Sequence, residues 1–378
     1  MQGIFEVPQG RFRLKRLPER KQDLLQAWDA ADEYLLHYLA HEAPPLPAAN
    51  IVILNDSFGA LAVALHAYHP VALSDSFLSQ QATLANIQAN GLEFDSVSLL
   101  DSRSVPDAGI DYLLIKVPKT LALLEYQLHT LRPLLKPDAK IVAAGMVKNL
   151  PATAWKLLER LIGPTRPSRA VKKARLIFAD IDPGLTLPAN PYPVCYRLEQ
   201  TDWQIRNHAN VFSRDSLDIG TRFLLQHLPQ DSRYQDVIDL GCGNGVVGLM
   251  LAKQLPGVTI RFVDESFMAM ASARENFEAA FPGQHNAQFI VADCLSGFAP
   301  DSADCIVCNP PFHQQQVIGD HIAWQMFQQA HQVLRKGGEL RIIGNRHLNY
   351  HLSLKKLFGN WETVAGNAKF VIIKAFKR

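Results

Sequence analysis

A glycine-rich segment, Asp239 to Gly245, has the composition and position of a ligand-binding loop. It follows a short apolar segment, Asp236 to Leu240, that predicts a strand, and it precedes a segment that predicts a helix. Its glycines, Gly241, Gly243 and Gly245, allow a tight turn and let a ligand approach the backbone closely. Their G-x-G-x-G spacing differs from the G-x-G-x-x-G of dinucleotide-binding loops.

Acidic residues close the next two predicted strands. Asp264 follows the strand Thr259 to Val263, where its carboxylate can accept both hydroxyls of a ribose. Asp293 follows the strand Gln288 to Ala292, where it can meet the edge of an adenine. A structural turn would explain the glycines alone. The glycine loop together with Asp264 and Asp293, at three successive strand ends, instead predicts a nucleoside site, because the carboxyl ends of parallel strands lie along one edge of a sheet.

A second motif, Asn309 to Phe312, follows the strand Asp304 to Cys308 and predicts chemistry on an amine. Its two prolines make the loop rigid. The Asn309 side-chain oxygen and the Pro310 carbonyl can both accept hydrogen bonds from a planar –NH₂ group, and Phe312 can stack on the ring that carries it. Two acceptors favour a pyramidal nitrogen and turn its lone pair toward an electrophile. Catalysis of this kind rests on positioning and dipoles.

Other combinations of residues do not predict a metal site. Cys305 and Cys308 have C-x-x-C spacing, but they lie inside a predicted strand and have no second pair nearby. The 13 histidines show no H-E-x-x-H pattern. We therefore expect no metal.

The composition bounds the protein class. Apolar residues make up 48% and charged residues 20%, which excludes a disordered or collagen-like chain. There is no apolar run long enough for a membrane span and no secretory signal, and the five cysteines are sparse, so we expect a cytoplasmic protein. The net charge of +2 means that nucleic-acid binding would have to rest on a local patch.

The order of elements predicts an α/β architecture in two similar halves. Strands alternate with helices, which indicates a doubly wound, mainly parallel sheet, and a C-terminal hairpin predicts an antiparallel last strand. The helix before the last long strand is expected to end at Lys336, ahead of Gly337 and Gly338. A Pro-rich segment at 183–195 predicts a linker between a domain at 1–182 and a domain at 196–378.

The N-terminal half carries a faint copy of the C-terminal pattern, which indicates a duplication. The strand Ile51 to Leu54 precedes a loop that ends at Gly59, the counterpart of Gly245. The residues needed for chemistry differ. Ser74 takes the place of Asp264, and Lys116 takes the place of Asn309, where its positive charge would repel a cationic ligand such as a sulfonium. We expect no cofactor in this half.

A basic cluster in the N-terminal half predicts contacts with RNA phosphates. Between Lys156 and Arg175 there are seven Lys or Arg residues and one acid, Glu159. A solvated helix face is the alternative. The residues assigned to RNA binding are Arg166, Arg169, Lys172, Lys173 and Arg175.

The motifs of the C-terminal half resemble those of class I S-adenosylmethionine-dependent methyltransferases that methylate amines. The whole chain resembles the bacterial ribosomal RNA guanine-N2 methyltransferases of the RsmC/RlmG type, most of all the branch acting on large-subunit (23S) rRNA. The segments that carry this closer resemblance are Leu25 to Leu36, Lys116 to Glu125, Asn207 to Arg214 and Asn309 to Gln315.

The resemblance implies two tandem Rossmann-like domains, each with a seven-stranded, mostly parallel sheet, of which the N-terminal one is degenerate. It implies S-adenosyl-L-methionine as cofactor, bound by Asp239, the three loop glycines, Asp264 and Asp293, and Asn309 to Phe312 as the catalytic loop. It also implies N2 methylation of one guanine in 23S rRNA. The alternatives are a guanine of 16S rRNA, another planar amine (adenine N6 or a protein glutamine), and a non-enzymatic RNA-binding or assembly protein.

Overall fold

The computed structural model describes residues 3–18, 25–311 and 316–378 of the chain. The chain divides into two compact units, Met1–Tyr192 and Pro193–Arg378. Between 180 and 193 the chain forms neither helix nor strand, and the first strand of the second unit begins at Val194. The last two residues of the predicted linker, 194 and 195, therefore already belong to this strand.

The first unit is an α/β fold with a hairpin ahead of its main sheet. Its elements in chain order are β1 (Gly3–Val7), β2 (Gly10–Leu14), α1 (Ala30–His41), β3 (Ile51–Leu54), α2 (Ala60–Ala64), β4 (Val71–Ser74), α3 (Phe77–Ala89), β5 (Ser98–Asp101), β6 (Ile110–Lys116), α4 (Leu121–Leu131), β7 (Leu135–Met146), α5 (Ala152–Leu161), β8 (Thr165–Pro167) and β9 (Ala174–Ala179).

The second unit repeats this sequence of elements. They are β10 (Val194–Arg197), β11 (Gln204–Asn207), α6 (Ile219–Leu225), β12 (Asp236–Leu240), α7 (Val246–Gln254), β13 (Thr259–Asp264), α8 (Phe267–Ala280), β14 (Ala287–Val291), β15 (Ala303–Cys308), α9 (Gln316–Val333), β16 (Leu334–Asn345), α10 (Tyr350–Phe358), β17 (Glu362–Gly366) and β18 (Phe370–Phe376).

Both main sheets have seven strands in the same order. The second unit has the order β14-β13-β12-β15-β16-β18-β17, and the first has β5-β4-β3-β6-β7-β9-β8. In each sheet the first five strands are parallel, and the strand that follows them, β18 or β9, is antiparallel to both neighbours. Helices cover both faces, which explains why the central strands are apolar on both sides. The predicted pair of tandem α/β domains is confirmed.

The predicted end of one helix is wrong. Helix α9 ends at Val333 rather than at Lys336, because the buried Leu334 already pairs with Ala303 of β15. The Lys-Gly-Gly sequence instead forms a bulge within β16, where Gly337 has a φ of 82°. Glycine accommodates that left-handed conformation without steric strain.

The duplication extends to single hydrogen bonds. Asn276 on α8 donates to the carbonyl of Asn244 at 2.9 Å, and Asn86 on α3 donates to the carbonyl of Phe58 at 2.8 Å. In each unit the same side chain also joins the chain near the end of the small hairpin. The two loops that follow the first strands of the sheets are thus fixed in the same way.

Within the described ranges, no helix is both long enough and apolar enough to cross a membrane.

Candidate active site at the carboxyl edge of the second sheet

The loop between β12 and α7 takes the conformation that its glycines permit. Gly241, Gly243 and Gly245 have φ values of 71°, 54° and 82°. A Cβ on Gly245 would lie 3.0 Å from the Cα of Ala273, so this glycine lets the loop pack against α8. A Cβ on Gly243 would meet no atom within 4 Å. The loop is therefore packed at its end and open at its centre.

Asp264, at the end of β13, is hydrogen-bonded to this loop. Its Oδ2 accepts a hydrogen bond from the backbone N–H of Gly243 at 2.9 Å, and its Oδ1 accepts one from Ser266 at 3.0 Å. The side chain is partly exposed. The carboxylate is therefore held beside the open part of the loop.

Asp239 lies beneath the loop. It is buried, and its Oδ2 accepts a hydrogen bond from the N–H of Gly248 in the first turn of α7 at 2.8 Å. Burial raises the pKa of Asp239 to about 7. This hydrogen bond joins β12 to the first turn of α7, the two elements on either side of the loop.

Asn244 ties the loop to the small hairpin of this unit. Its Nδ2 donates to the Tyr196 hydroxyl at 3.0 Å and to Oδ1 of Asn207 at 2.9 Å. Burial raises the pKa of Tyr196 to about 12, so the phenol stays protonated at neutral pH. The sequence did not predict that Asn244 would bond to either residue, since short polar strands such as β10 and β11 give little hydrophobic signal.

Asp293 lies two residues beyond β14, at the same edge of the sheet. Its Oδ1 accepts a hydrogen bond from Nε2 of Gln325 on α9 at 3.0 Å. The carboxyl end of β14 lies next to that of β13, because Val291 pairs with Asp264. The two acids predicted for a nucleoside site therefore end neighbouring strands.

Asn309 follows β15, the strand on the other side of the glycine loop. Leu240 and Cys308 are paired in the sheet, so Gly241 and Asn309 follow directly at adjacent strand ends. Pro310 is buried, which fits a fixed loop. Phe312, the predicted stacking residue, lies outside the described residues.

The Asn309 side chain is oriented by helix α6. Its Nδ2 donates to the Thr221 hydroxyl at 3.0 Å, and that hydroxyl donates to Oδ2 of Asp218 at 3.3 Å. Asp218 is the N-cap of α6 and also accepts the Thr221 N–H at 2.8 Å. Asn309 Oδ1 is buried and has no hydrogen-bond partner among the described residues. The amide therefore presents an unused acceptor.

The corresponding place in the first unit is occupied by an ion cluster. Lys116, at the end of β6, donates to Asp29 at 2.9 Å and lies 2.7 Å from Asp32. Burial raises the pKa of Asp32 to about 6, although the Lys116 ammonium acts to lower it. The sequence predicted that Lys116 would repel a sulfonium. In the structure, the Lys116 charge is paired with these two carboxylates.

The loop of the first unit is also filled. The Asp56 carboxylate is buried and accepts three hydrogen bonds, from the N–H groups of residues 60, 61 and 62 of α2. The Phe58 ring lies 4.7 Å from the Arg16 guanidinium. Ser74 matches Asp264 in register, since Leu73 pairs with Leu54 as Val263 pairs with Leu240. This loop has lost the open glycines and the acid of its counterpart.

The predicted RNA-binding residues lie around strands β8 and β9. Lys172 and Lys173 form a two-residue turn with φ values of 47° and 62°, closed by hydrogen bonds between Val171 and Ala174. Both lysines and Arg169 are exposed. Lysines rarely adopt this conformation, so the turn places two cations at its tip at some cost in backbone strain.

Several basic residues of the cluster, including Lys172 of the turn, form contacts within the unit. Lys172 pairs with Glu33 at 2.7 Å, and Arg166 lies 3.9 Å from Asp180 and stacks over Phe178. Arg175 is partly buried near Trp155, and its Nε is buried without a partner among the described residues. Arg160, also in the cluster, pairs with Glu125. Among the five residues predicted to bind RNA, Arg169 and Lys173 are thus the exposed ones that form no ion pair with the described residues.

Among the residues described, no group of three or more His, Cys, Asp or Glu side chains could hold a metal ion. Cys305 and Cys308 are buried in β15, and burial raises the pKa of both thiols. Nε2 of His208 lies 2.9 Å from Glu275. These side chains serve packing and hydrogen bonding within the unit.

Comparisons with known proteins cover both units. The RLMG N-terminal domain family matches residues 2–183, and the Methyltransferase small domain family matches residues 202–374. The fold is similar to that of the T. thermophilus 16S rRNA N2 methyltransferase RsmC, solved in complex with AdoMet and guanosine. The TM-score is 0.78 and the identity 22%, over 100% of this chain and 98% of that one.

Curated relatives match from end to end. The chain is 51% identical over 379 residues to the ribosomal RNA large subunit methyltransferase G of Aeromonas salmonicida, covering 100% of both. It is 51% identical over 375 residues to the protein of that name from Pseudomonas aeruginosa, covering 99% of this chain and 100% of the relative. Because the identity is high and extends through both units, the chain belongs to the ribosomal RNA large subunit methyltransferase G family.

Proposed function

We propose that this protein transfers a methyl group from S-adenosylmethionine to the exocyclic N2 amine of one guanine in 23S rRNA. The observation that carries the proposal is the buried, unused Oδ1 of Asn309, fixed beside the glycine loop by Thr221. An amine hydrogen would satisfy that acceptor. The names of the full-length relatives support large-subunit rRNA as the substrate.

The cofactor pocket is assigned to the carboxyl edge of the second sheet. S-adenosylmethionine supplies an electrophilic methyl group when bound. The open side of Gly243 leaves room for a ligand against the backbone, and we assign the ribose hydroxyls to the Asp264 carboxylate, which is hydrogen-bonded to Gly243. Asp293 would contact the adenine, while Gly241 and Gly245 give the loop its shape.

The chain's own residues then prepare the target amine. Asn309 Oδ1 and the Pro310 carbonyl accept its two hydrogens, which favours a pyramidal nitrogen with a directed lone pair. Thr221 prevents the Asn309 amide from rotating, so the acceptor needs no reorganisation during the reaction. We assign stacking on the base to Phe312. The amine proton becomes acidic only once the nitrogen is alkylated, so a strong base is unnecessary.

RNA docking is assigned to residues 1–182, joined by the linker 183–195 to a catalytic domain at 196–378. The exposed cations Arg169, Lys172 and Lys173 would meet phosphates, with Arg166 and Arg175 contributing less. The internally paired Lys116 cluster supports a binding rather than a catalytic role for this half. All five cysteines are free thiols, in keeping with a reducing compartment, and we assign the enzyme to the cytoplasm.

The test is nucleoside mass spectrometry of nuclease-digested rRNA from a strain lacking this protein. The proposal expects one N2-methylguanosine to disappear from 23S rRNA and to return when the gene is restored. Loss from 16S rRNA instead would reassign the substrate, and unchanged rRNA would reject the proposal. A second assay measures transfer of a tritiated methyl group from S-adenosylmethionine to three substrates: protein-free rRNA, DNA and a release factor. Transfer to rRNA supports the guanine target, whereas transfer to DNA or to the release factor would favour adenine or glutamine.

A further inference from the structure

A second buried acceptor lies beside the proposed catalytic loop. Asn345 ends β16, the strand next to β15, and its Oδ1 is buried without a hydrogen-bond partner among the described residues. Cys308 pairs with Ile342, so Asn309 is level with Ile343, and Asn345 is two residues further along the same face. The amides of Asn309 and Asn345 therefore leave neighbouring strand ends on one side of the sheet.

The contacts of helix α6 agree with this placement. Its Thr221 contacts Asn309 at the end of β15, while a Cβ on its Gly220 would lie 3.3 Å from the Phe370 ring at the start of β18. Phe370 pairs with Asn345 in the sheet. Since β16 lies between β15 and β18, the first turn of α6 is close to residues on both sides of Asn345. Asn309 and Asn345 thus both lie at strand ends next to the first turn of α6.

A guanine base offers two donors to acceptors on neighbouring strand ends. Its N2 amine and its N1–H are adjacent donors, whereas adenine has an acceptor at N1 next to its amine. We propose, resting on the proposed function, that Asn345 Oδ1 accepts the guanine N1–H while Asn309 holds the N2 amine. Asn345 is then the residue that selects guanine. A base with an acceptor at N1 would leave two buried lone pairs facing each other, which disfavours it strongly.

The experiment compares two bases at the target nucleotide. An RNA fragment containing that nucleotide is synthesised with guanine or with 2-aminopurine, which keeps the N2 amine but has an unprotonated N1. Single-turnover transfer and kcat/KM are measured for the full chain, for Asn345→Ala and for Asn345→Asp, which keeps an acceptor. Cofactor affinity and thermal midpoint report whether each variant is intact.

The wild-type enzyme is expected to prefer guanine, and Asn345→Ala to lower kcat/KM on guanine roughly tenfold or more while leaving 2-aminopurine nearly unchanged. Asn345→Asp should keep the preference, and Asn309→Ala should lose activity on both bases. Equal loss on the two bases in Asn345→Ala, or no wild-type preference, would overturn the role of Asn345 and leave the proposed function standing. No wild-type transfer to guanine RNA would reject the proposed function itself.

Discussion

The two units place different chemistry at the same point of the same fold. At the end of the fourth strand in chain order of the main sheet, the second unit has Asn309 and the first has Lys116. Each side chain reaches the third residue of the first helix, which is Thr221 in α6 and Asp32 in α1. One contact joins two neutral groups, and the other is a buried ion pair.

The difference determines what remains for a ligand. Asp218 and Asp29 cap their helices in both units. In the first unit the cap also accepts a hydrogen bond from Lys116, whose ammonium lies 2.7 Å from Asp32 as well. In the second unit the cap binds the Thr221 hydroxyl, which binds only the Nδ2 end of the Asn309 amide, and Oδ1 has no hydrogen-bond partner among the described residues. The two arrangements thus differ at two side chains, Lys116 in place of Asn309 and Asp32 in place of Thr221.

The largest effect is expected from breaking the ion pair of the first unit. Lys116→Met would leave the Asp32 carboxylate buried without its cation and should destabilise this unit by about 3–5 kcal/mol. Urea unfolding followed by a probe in residues 1–182 measures this. Lys119→Met is the matched control, since Lys119 is exposed, and it should change stability by less than about 0.5 kcal/mol. Equal effects of the two variants would contradict a structural role for the pair.

The next largest effect concerns the unused amide of the second unit. Asn309→Ala should lower kcat roughly 100-fold or more, because a preorganised acceptor is lost. Cofactor affinity should stay within a factor of about 2, because the residues assigned to the cofactor do not include Asn309. Thr221→Val should lower kcat less, and Thr221→Ser should restore it, since only the hydroxyl orients the amide. Single-turnover assays with calorimetric titration check both. Turnover at the wild-type rate in Asn309→Ala would disprove the mechanism.

A pH-dependent effect, smaller for each pH unit than the effects above, is expected from Asp239 beneath the glycine loop. The native pKa of Asp239, about 7, lies above its ordinary value of 3.8, so the native state retains a proton that the unfolded state loses. Its contribution to stability is complete below about pH 4 and is lost as pH rises to about 7, with a slope of up to about 1.4 kcal/mol per pH unit. Asp239→Asn should remove this slope. Hydrogen exchange of the α7 amides, corrected for intrinsic rates, measures it, and an unchanged slope in the variant would exclude Asp239 as the source.

The smallest effect per residue is expected at the basic turn. Charge reversal at Arg169, Lys172 and Lys173 should weaken binding to all RNA sequences alike and lower the salt slope by about 0.7–0.9 per lost phosphate contact. Cofactor affinity should not change. Filter binding at several salt concentrations checks this, together with a fragment spanning 196–378, which should bind cofactor yet methylate rRNA poorly. A fragment as active as the full chain would remove the docking role of the first half.

The sequence was sufficient for features that depend on local pattern. Apolar strands, the glycine loop and the acids at strand ends follow from periodicity and from backbone requirements, which are local. The orienting residue Thr221 was missed because its partner is 88 residues away, and the pairing of Lys116 with Asp29 spans 87 residues. Asn345 gave no signal either, because a single asparagine after a strand is ordinary. Contacts between distant residues depend on topology, which the local pattern does not contain.

The most direct test of the central comparison is the number of cofactor sites per chain. Calorimetric titration of the full chain with S-adenosylmethionine should give one site per chain, although two units share the fold. Asp264→Ala should weaken that site by about 1–3 kcal/mol, because the ribose loses a charged acceptor, while the matched change Ser74→Ala in the first unit should leave it unaltered. Two sites per chain, or unchanged binding in Asp264→Ala, would contradict the assignment of cofactor binding to the second unit alone.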